Sequence, residues 1–289
     1  MTRYAVLSMD IEDWFHVDYF DRSTCDLSYS MLDGLDVYLE LMDELNVLSS
    51  FFCLGELAES LKSRLREMSD YGHEIGSHTS SHRRPLLLSL PDVREELRTS
   101  KDSLEQVVSS PVEGFRAPCF SFDRSCLDFL SELGYHYDTS RINFEMNPRY
   151  GSIDMEGFER YSKNIFIRDD FFEFQMSTQR FLFQNFPVSG GGYLRMFPWM
   201  LTASLLKKFL RDNELYTLYV HPYELSTKKS PPFPKDTSFV NKKRFGVGRT
   251  TVKRKITDLV KILQENNFTF MTFTKLRQKI LQERNTVVQ

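Results

Sequence analysis

The stretch Tyr71-Gly72-His73-Glu74-Ile75-Gly76-Ser77-His78-Thr79-Ser80-Ser81-His82 holds three of the chain's six histidines. Residues 74–77 read as a short buried strand whose end delivers His78. His78 and His82 stand four apart, so on a helical turn both imidazoles would leave one face. Neutral imidazole is the commonest metal-ligating side chain, and two at this spacing can share one divalent cation. His73 precedes the strand and, by strand alternation, points away from the pair. Two histidines make a site only with an acidic partner.

That partner stands at the start of the chain. Residues 4–9 form an apolar run that fits a buried first strand, and it ends in Asp10-Ile11-Glu12-Asp13-Trp14. Three carboxylates in four residues can supply one metal ligand and one general base. A carboxylate with two histidines leaves open positions on a divalent cation, which lowers the pKa of a water there. A second carboxylate can take that water's proton. An amide substrate also needs an acid, because an unprotonated amine leaves poorly. His221, at the end of a strand over 216–220, is the remaining candidate. The constellation reads as metal-assisted C–N hydrolysis.

Working outward, apolar runs at 50–54, 74–77, 111–116, 135–138, 216–220 and 268–273 alternate with helical patterns at 32–47, 57–68, 123–133, 198–213 and 251–264. The sequence Ser89-Leu90-Pro91-Asp92 is a helix-start signature, and Val93, Leu97, Leu104 and Val108 follow on one face. Alternation of this kind calls for a parallel sheet with crossover helices. Asp10, His78, Arg116, Asp138 and His221 all fall at strand ends, which in a (β/α) barrel share one face. Residues 143–192 are aromatic, charged and irregular, and read as an excursion covering one end of a single domain that spans 1–289. Residues 228–249 read as a basic, proline-containing loop. Asp138 is expected to hold the segment after it, and His16 and His136 to have no role.

Hydrophobic content of 41% with 25 Phe suffices for a core, and a net charge of −3 argues against nucleic acid as a partner. The four cysteines show no C-x-x-C spacing and read as free thiols in a reducing compartment. No apolar h-region precedes Asp10 and no run of about 18 apolar residues occurs, so the expectation is a cytoplasmic protein without a transmembrane helix.

In this order the motifs resemble the polysaccharide deacetylase family of the NodB-homology type, carbohydrate esterase family 4. Ser8-Met9-Asp10 is similar to the start of its T-F-D-D-G motif, here in a D-x-E-D-W form. His78-Thr79-Ser80-Ser81-His82 matches H-[ST]-x-x-H, Arg116-Ala117-Pro118 matches R-x-P, and Leu218-Tyr219-Val220-His221 matches the last motif in an H-P-Y-E form. Gly190-Gly191-Gly192-Tyr193-Leu194-Arg195 and Arg244-Phe245-Gly246 also look like that sub-branch. The resemblance implies a distorted (β/α)7 barrel of the NodB type and a divalent metal, most often zinc. It implies Asp10 as general base, His78 and His82 as metal ligands, Arg116 as the residue orienting the base, and His221 as the acid. Cys119, in place of an aromatic residue, would offer its backbone N–H to the oxyanion.

The family's adjacent Asp pair is spread out here, so the acidic ligand is Glu12 or Asp13. The expected substrate is an acetamido sugar in a saccharide, met in the cytoplasm as a nucleotide- or lipid-linked precursor. Arg244 and Arg249 of the basic stretch 228–255 would then hold its phosphate. Trp14, Tyr193 and Trp199 could stack on the sugar. The rival readings are a metal-independent amide or ureide hydrolase and a non-catalytic carbohydrate-binding barrel.

Overall fold

The first strand, β1 (Arg3–Ile11), is the axis of the sheet. On one edge it pairs in parallel with β11 (Leu215–Val220). On the other it meets β12 (Phe268–Phe270) along its first residues and β2 (Ser50–Cys53) along its last. From β2 the parallel sheet continues through β3 (Glu74–Ser77), β4 (Gly114–Phe115), β5 (Tyr137–Asp138) and β8 (Phe171–Phe174). Along the main path seven strands run parallel in the order β11-β1-β2-β3-β4-β5-β8, and β12 is an eighth parallel strand beside the start of β1. Antiparallel β7 (Ile165–Arg168) and β6 (Glu159–Ser162) extend it beyond β8. The computed structural model describes residues 2–144 and 146–287.

Strand alternation sorts β1 into two cores. Ala5, Leu7, Met9 and Ile11 face the helices and join the larger core with α1 (Asp33–Glu44), α3 (Leu90–Val108), α6 (Trp199–Asp212) and α9 (Val252–Glu265). Tyr4 and Val6 face inward and pack with Phe52, Tyr137, Phe172 and Phe174. The last helix, α10 (Phe273–Val287), adds Phe273, Leu276 and Ile280 to this inner core. Ser8 and Asp10 continue the inward series. The interior is therefore apolar at the N-terminal end of the strands and polar at the C-terminal end.

The barrel is distorted because its ladder never closes. Between β8 and β11 the seam is made by hydroxyls. The Ser177 amide donates to Thr217 Oγ1 and the Thr217 amide to Ser177 Oγ, both at 3.0 Å. The Tyr219 amide donates to Ser189 O at 2.8 Å. Two short segments, 176–177 and 188–190, thus bridge the open side of a curled half-barrel.

The helix-start signature at Ser89 holds: its hydroxyl accepts from the Asp92 amide, and Val93, Leu97 and Leu104 are buried. The helix read over 57–68 begins later, as α2 (Lys62–Tyr71), after a 3-10 turn at Gly55–Leu57. Two expectations are corrected. Residues 143–192 are not simply irregular: they carry β6, β7, the seventh parallel strand β8, and a hairpin of β9 (Thr178–Phe181) and β10 (Gln184–Pro187). Their aromatic residues are buried on both faces of β8, so no period-2 pattern marks it. The basic loop contains a helix, α8 (Phe239–Gly246), capped by the Ser238 hydroxyl. The last apolar run, read over 268–273, does form the last strand, β12, and α10 follows it. The four cysteines are all thiols. Among the described residues, no helix is long and apolar enough to cross a membrane.

If the seam is held as described, Thr217→Val leaves the buried Ser177 amide without an acceptor at nearly unchanged volume. The expected cost is about 1–3 kcal/mol, read as a lower urea midpoint with the slope retained. A variant as stable as the parent would show that these hydroxyls do not hold the seam.

Candidate active site

The inward series of β1 builds the floor of a pocket. Asp10 is 3% exposed and its Oδ1 accepts from Arg116 Nη1 at 2.6 Å; the same nitrogen donates to Ser8 Oγ at 2.9 Å. The Arg116 side chain is fully buried, with its guanidinium over the Phe52 ring at 4.2 Å. The Arg116 guanidinium therefore pairs with the Asp10 carboxylate and fixes its position.

Glu12 lies two residues on from Asp10 and so keeps to the same side of the chain. Ligand atoms of Glu12, His78 and His82 all lie within 4.8 Å of one another, and all three residues are buried. Asp13 is corrected out of the ligand set. It turns the other way, where its Oδ1 accepts from the Trp14 amide at 2.7 Å and from the Met31 amide at 2.8 Å. Its own amide donates to His16 Nδ1, so Asp13 caps a 3-10 turn at Trp14–His16.

The two histidines are not on a helical turn. His78 leaves the end of β3, and the chain then doubles back through left-handed backbone at Thr79 (φ 67°) and His82 (φ 62°). The Glu96 carboxylate on α3 clamps this loop, accepting from the Ser80 and Ser81 amides at 3.0 Å and from Ser81 Oγ at 2.7 Å. The result brings the imidazoles to 5.3 Å between centroids. His78 Nδ1 sits 2.7 Å from Arg116 O, and a carbonyl can only accept. Nδ1 therefore carries the proton, and Nε2 keeps a free lone pair for a metal.

The electrostatics suit a cation. Burial alone would raise the Glu12 carboxyl, but His82, His221 and His78 outweigh it and hold the group well below the ordinary carboxylate range. Burial pushes His78 down to about 4, so the ring is neutral near pH 7. Burial opposes a charge on His82, yet Glu12 beside it raises its pKa. Glu12 Oε2 has no aligned hydrogen bond among the described residues although it is buried and touches His82 Nε2. Two imidazoles and an anionic oxygen crowded together are a donor set that fits a divalent ion.

Across the pocket, His221 ends β11. Its Nδ1 lies 3.2 Å from Glu224 Oε2, which also accepts from the His221 amide, and its Nε2 lies 3.7 Å from Glu12 Oε1. Glu224 is fully buried and paired with Arg195 at 2.7 Å, and Arg195 Nη1 donates to three carbonyls of α8 and its end. A side chain at Gly191 would collide with the Glu224 carboxylate, which accounts for one glycine of the triple-glycine run. Burial works against a charged His221, but the bond to Glu224 and the field of Glu12 raise it to about 9. The ring is an imidazolium at neutral pH.

Cys119 lines the same pocket, on a turn with left-handed backbone at Cys119 and Phe120, and burial pushes its thiol up. The remaining wall is Tyr19, Phe120, Tyr150, Tyr219 and Tyr223. Trp14, expected as a stacking surface, is fully buried with its indole N–H on Tyr29 O. Trp199 packs against the core, and Tyr193 stands behind Tyr150.

Residues 24–137 match the family model described as polysaccharide deacetylase, and residues 144–278 match one described as a domain of unknown function, DUF3473. Over residues 24–137 the chain is thus similar to the polysaccharide deacetylase family. Among curated relatives of this deacetylase family, a peptidoglycan deacetylase from Helicobacter pylori is 24% identical over 117 residues, 40% of either chain. A chitin deacetylase from Colletotrichum lindemuthianum is 30% identical over 103 residues, 34% of this chain and 42% of its own. The chain thus spans about two fifths of the length of these relatives. A solved structure of a candidate polysaccharide deacetylase from Mycobacterium smegmatis aligns over 98% of this chain and 92% of its own, with a TM-score of 0.59 at 16% identity. That likeness is one of fold.

Against this family background, sequence reasoning missed Glu224, Arg195, Glu96 and His16. Glu224 was visible in the H-P-Y-E string and Arg195 in the glycine-rich one, but nothing in either string says that the two meet. His16 had a weaker signal still: its ring accepts from Asp13 and pairs with Glu56 at 2.8 Å.

Asp138 holds the segment after it, as expected, with hydrogen bonds from Thr139 and Ser140. It accepts from Ser140 Oγ, which in turn receives the Ala117 amide, so it braces the Arg116–Cys119 turn from behind. If Glu224 raises His221, Glu224→Gln should lower the His221 midpoint by about one unit or more in an NMR titration with chelator present. An unchanged midpoint would mean that Glu224 serves only to cap the turn.

Proposed function

We propose that this protein is a metal-dependent N-deacetylase that hydrolyses the acetamido group of an N-acetylated sugar in a saccharide. The observation carrying the proposal is one pocket that holds a Glu12/His78/His82 ligand set between a fixed carboxylate and an imidazolium. The family supports the same reading, as do relatives described as peptidoglycan and chitin deacetylases. Glu12, His78 and His82 would hold a divalent cation, zinc in the first instance. When bound, such an ion supplies Lewis-acid polarisation of the acetamido carbonyl and of the attacking water.

The chain's own groups do the rest. Asp10, oriented by Arg116, accepts the proton of the water as its oxygen bonds to the carbonyl carbon. The turn at Cys119 offers backbone N–H to the developing oxyanion. His221, positioned by Glu224, gives its Nε2 proton to the sugar nitrogen as the C–N bond breaks. Acetate and the free amine leave, and the atoms balance with one water consumed. The pocket holds about 110 Å³, well below the roughly 300–1,000 Å³ of sites that enclose a whole drug-sized ligand. Only part of one sugar unit enters, and the rest lies across the rim.

The test is loss of one acetyl group, by mass, from chitooligosaccharides and peptidoglycan fragments incubated with the metal-loaded protein. Metal analysis should find one tightly held ion in the parent and in Asp13→Asn, and little in Glu12→Gln or in His78→Ala/His82→Ala. Asp10→Asn should keep the metal and lose about a hundredfold or more in turnover. Metal loss in Asp10→Asn would instead make Asp10 a ligand and leave the base to another group.

A further inference from the structure

We infer that Arg84, Arg149 and Arg244, gathered around Asp18 and Tyr19, form a rim subsite for an anionic substituent, phosphate or carboxylate, on the saccharide. The inference rests on the deacetylase reading for its substrate and on the following geometry for its charge. Asp18, Tyr19, Asn147 and Arg149 line the outer part of the pocket that holds Glu12, His78, His82 and His221. Arg84 Nε lies 3.0 Å from Asp18 Oδ2, and Arg149 Nε lies 3.6 Å from the same oxygen. One carboxylate therefore serves two guanidiniums. A third, Arg244, stands over the Tyr19 ring at 5.4 Å, and Arg149 stands over that ring at 5.2 Å. Among the described residues Arg244 has no acidic partner, so three positive charges face one negative charge.

These arginines differ from the rest of the basic segment. Arg249, expected beside Arg244 as a phosphate ligand, is corrected: its guanidinium donates to the carbonyls of Tyr223, Ser226 and Lys228 and holds the turn after β11. Lys255 is likewise committed to the carbonyls of Leu194, Arg195 and Phe197. Lys253 is paired with Glu44. Arg244 is exposed and Arg149 is half-exposed, so both guanidiniums can turn a planar fork toward a ligand. That fork matches phosphate and carboxylate oxygens two at a time. The small pocket volume leaves the neighbouring substituents of the sugar on this rim.

The experiment is calorimetric binding to the full chain at low salt, with three probes: N-acetylglucosamine, its 1-phosphate, and N-acetylmuramic acid with its carboxylate. The parent should prefer at least one charged probe over the neutral sugar, and the preference should fall as salt shortens the screening length to about 8–10 Å. Arg149→Gln/Arg244→Gln should reduce that preference by about tenfold or more. Arg244→Gln alone, at an exposed position, should show part of the same loss. Whichever charged probe loses its advantage identifies the anion as phosphate or carboxylate. Equal binding of charged and neutral probes by the parent, or a preference untouched by the substitutions, overturns the subsite. A preference that the substitutions abolish, in a protein that removes acetyl from none of the probes or oligosaccharides, supports the subsite and sinks the deacetylase reading.

Discussion

The buried pair between Asp10 and Arg116 is the constraint on which the rest of the site depends. Both side chains are almost wholly out of water, and neither charge could stay there alone. Removing one partner of such a pair typically costs about 3–5 kcal/mol, because the other is left uncompensated. The two residues come from strands three places apart in the sheet, and the pair spans the interior between them. Arg116 is held further by the Phe52 and Tyr219 rings and by Ser8. Its carbonyl sets the proton on His78. One residue therefore orients a carboxylate with its side chain and an imidazole of the Glu12/His78/His82 cluster with its backbone.

The polarity of the barrel interior explains where that pair can sit. Strand β1 sends Tyr4 and Val6 into an aromatic plug sealed by α10, then Ser8 and Asp10 into the open end. There Ser8 and Asp10 both accept from Arg116. Glu74 shows the same logic at the opposite end, where it accepts from Thr274 and Tyr137 and ties α10 to the strands. The apolar plug keeps water from the lower interior, so the charges above it work in a low-dielectric surround.

His221 depends on a second chain of contacts. Its imidazolium is stabilised by Glu224, Glu224 is stabilised by Arg195, and Arg195 is anchored to carbonyls at the end of α8. The glycine-rich run before Arg195 lets a helix approach the Glu224 carboxylate. The segment matched by a domain of unknown function thus does two things. It completes the sheet with β8 and β11, and through Glu224 it raises the pKa of His221.

The sequence by itself determined the strand–helix alternation, the parallel barrel, and the strand-end positions of Asp10, His78, Arg116 and His221. It could do so because hydrophobic period and motif spacing are local properties. The tertiary structure alone decided between Glu12 and Asp13, since that choice depends on which way the chain turns after β1 and on the Met31 amide waiting for Asp13. It alone showed that His78 and His82 meet through a left-handed loop clamped by Glu96, since a four-residue spacing fits a helix equally well. It alone joined Glu224 to Arg195 and set Arg244 apart from Arg249 within one basic run. Each of these is a contact between segments far apart in the chain, and a contact of that kind leaves no periodic trace in either segment.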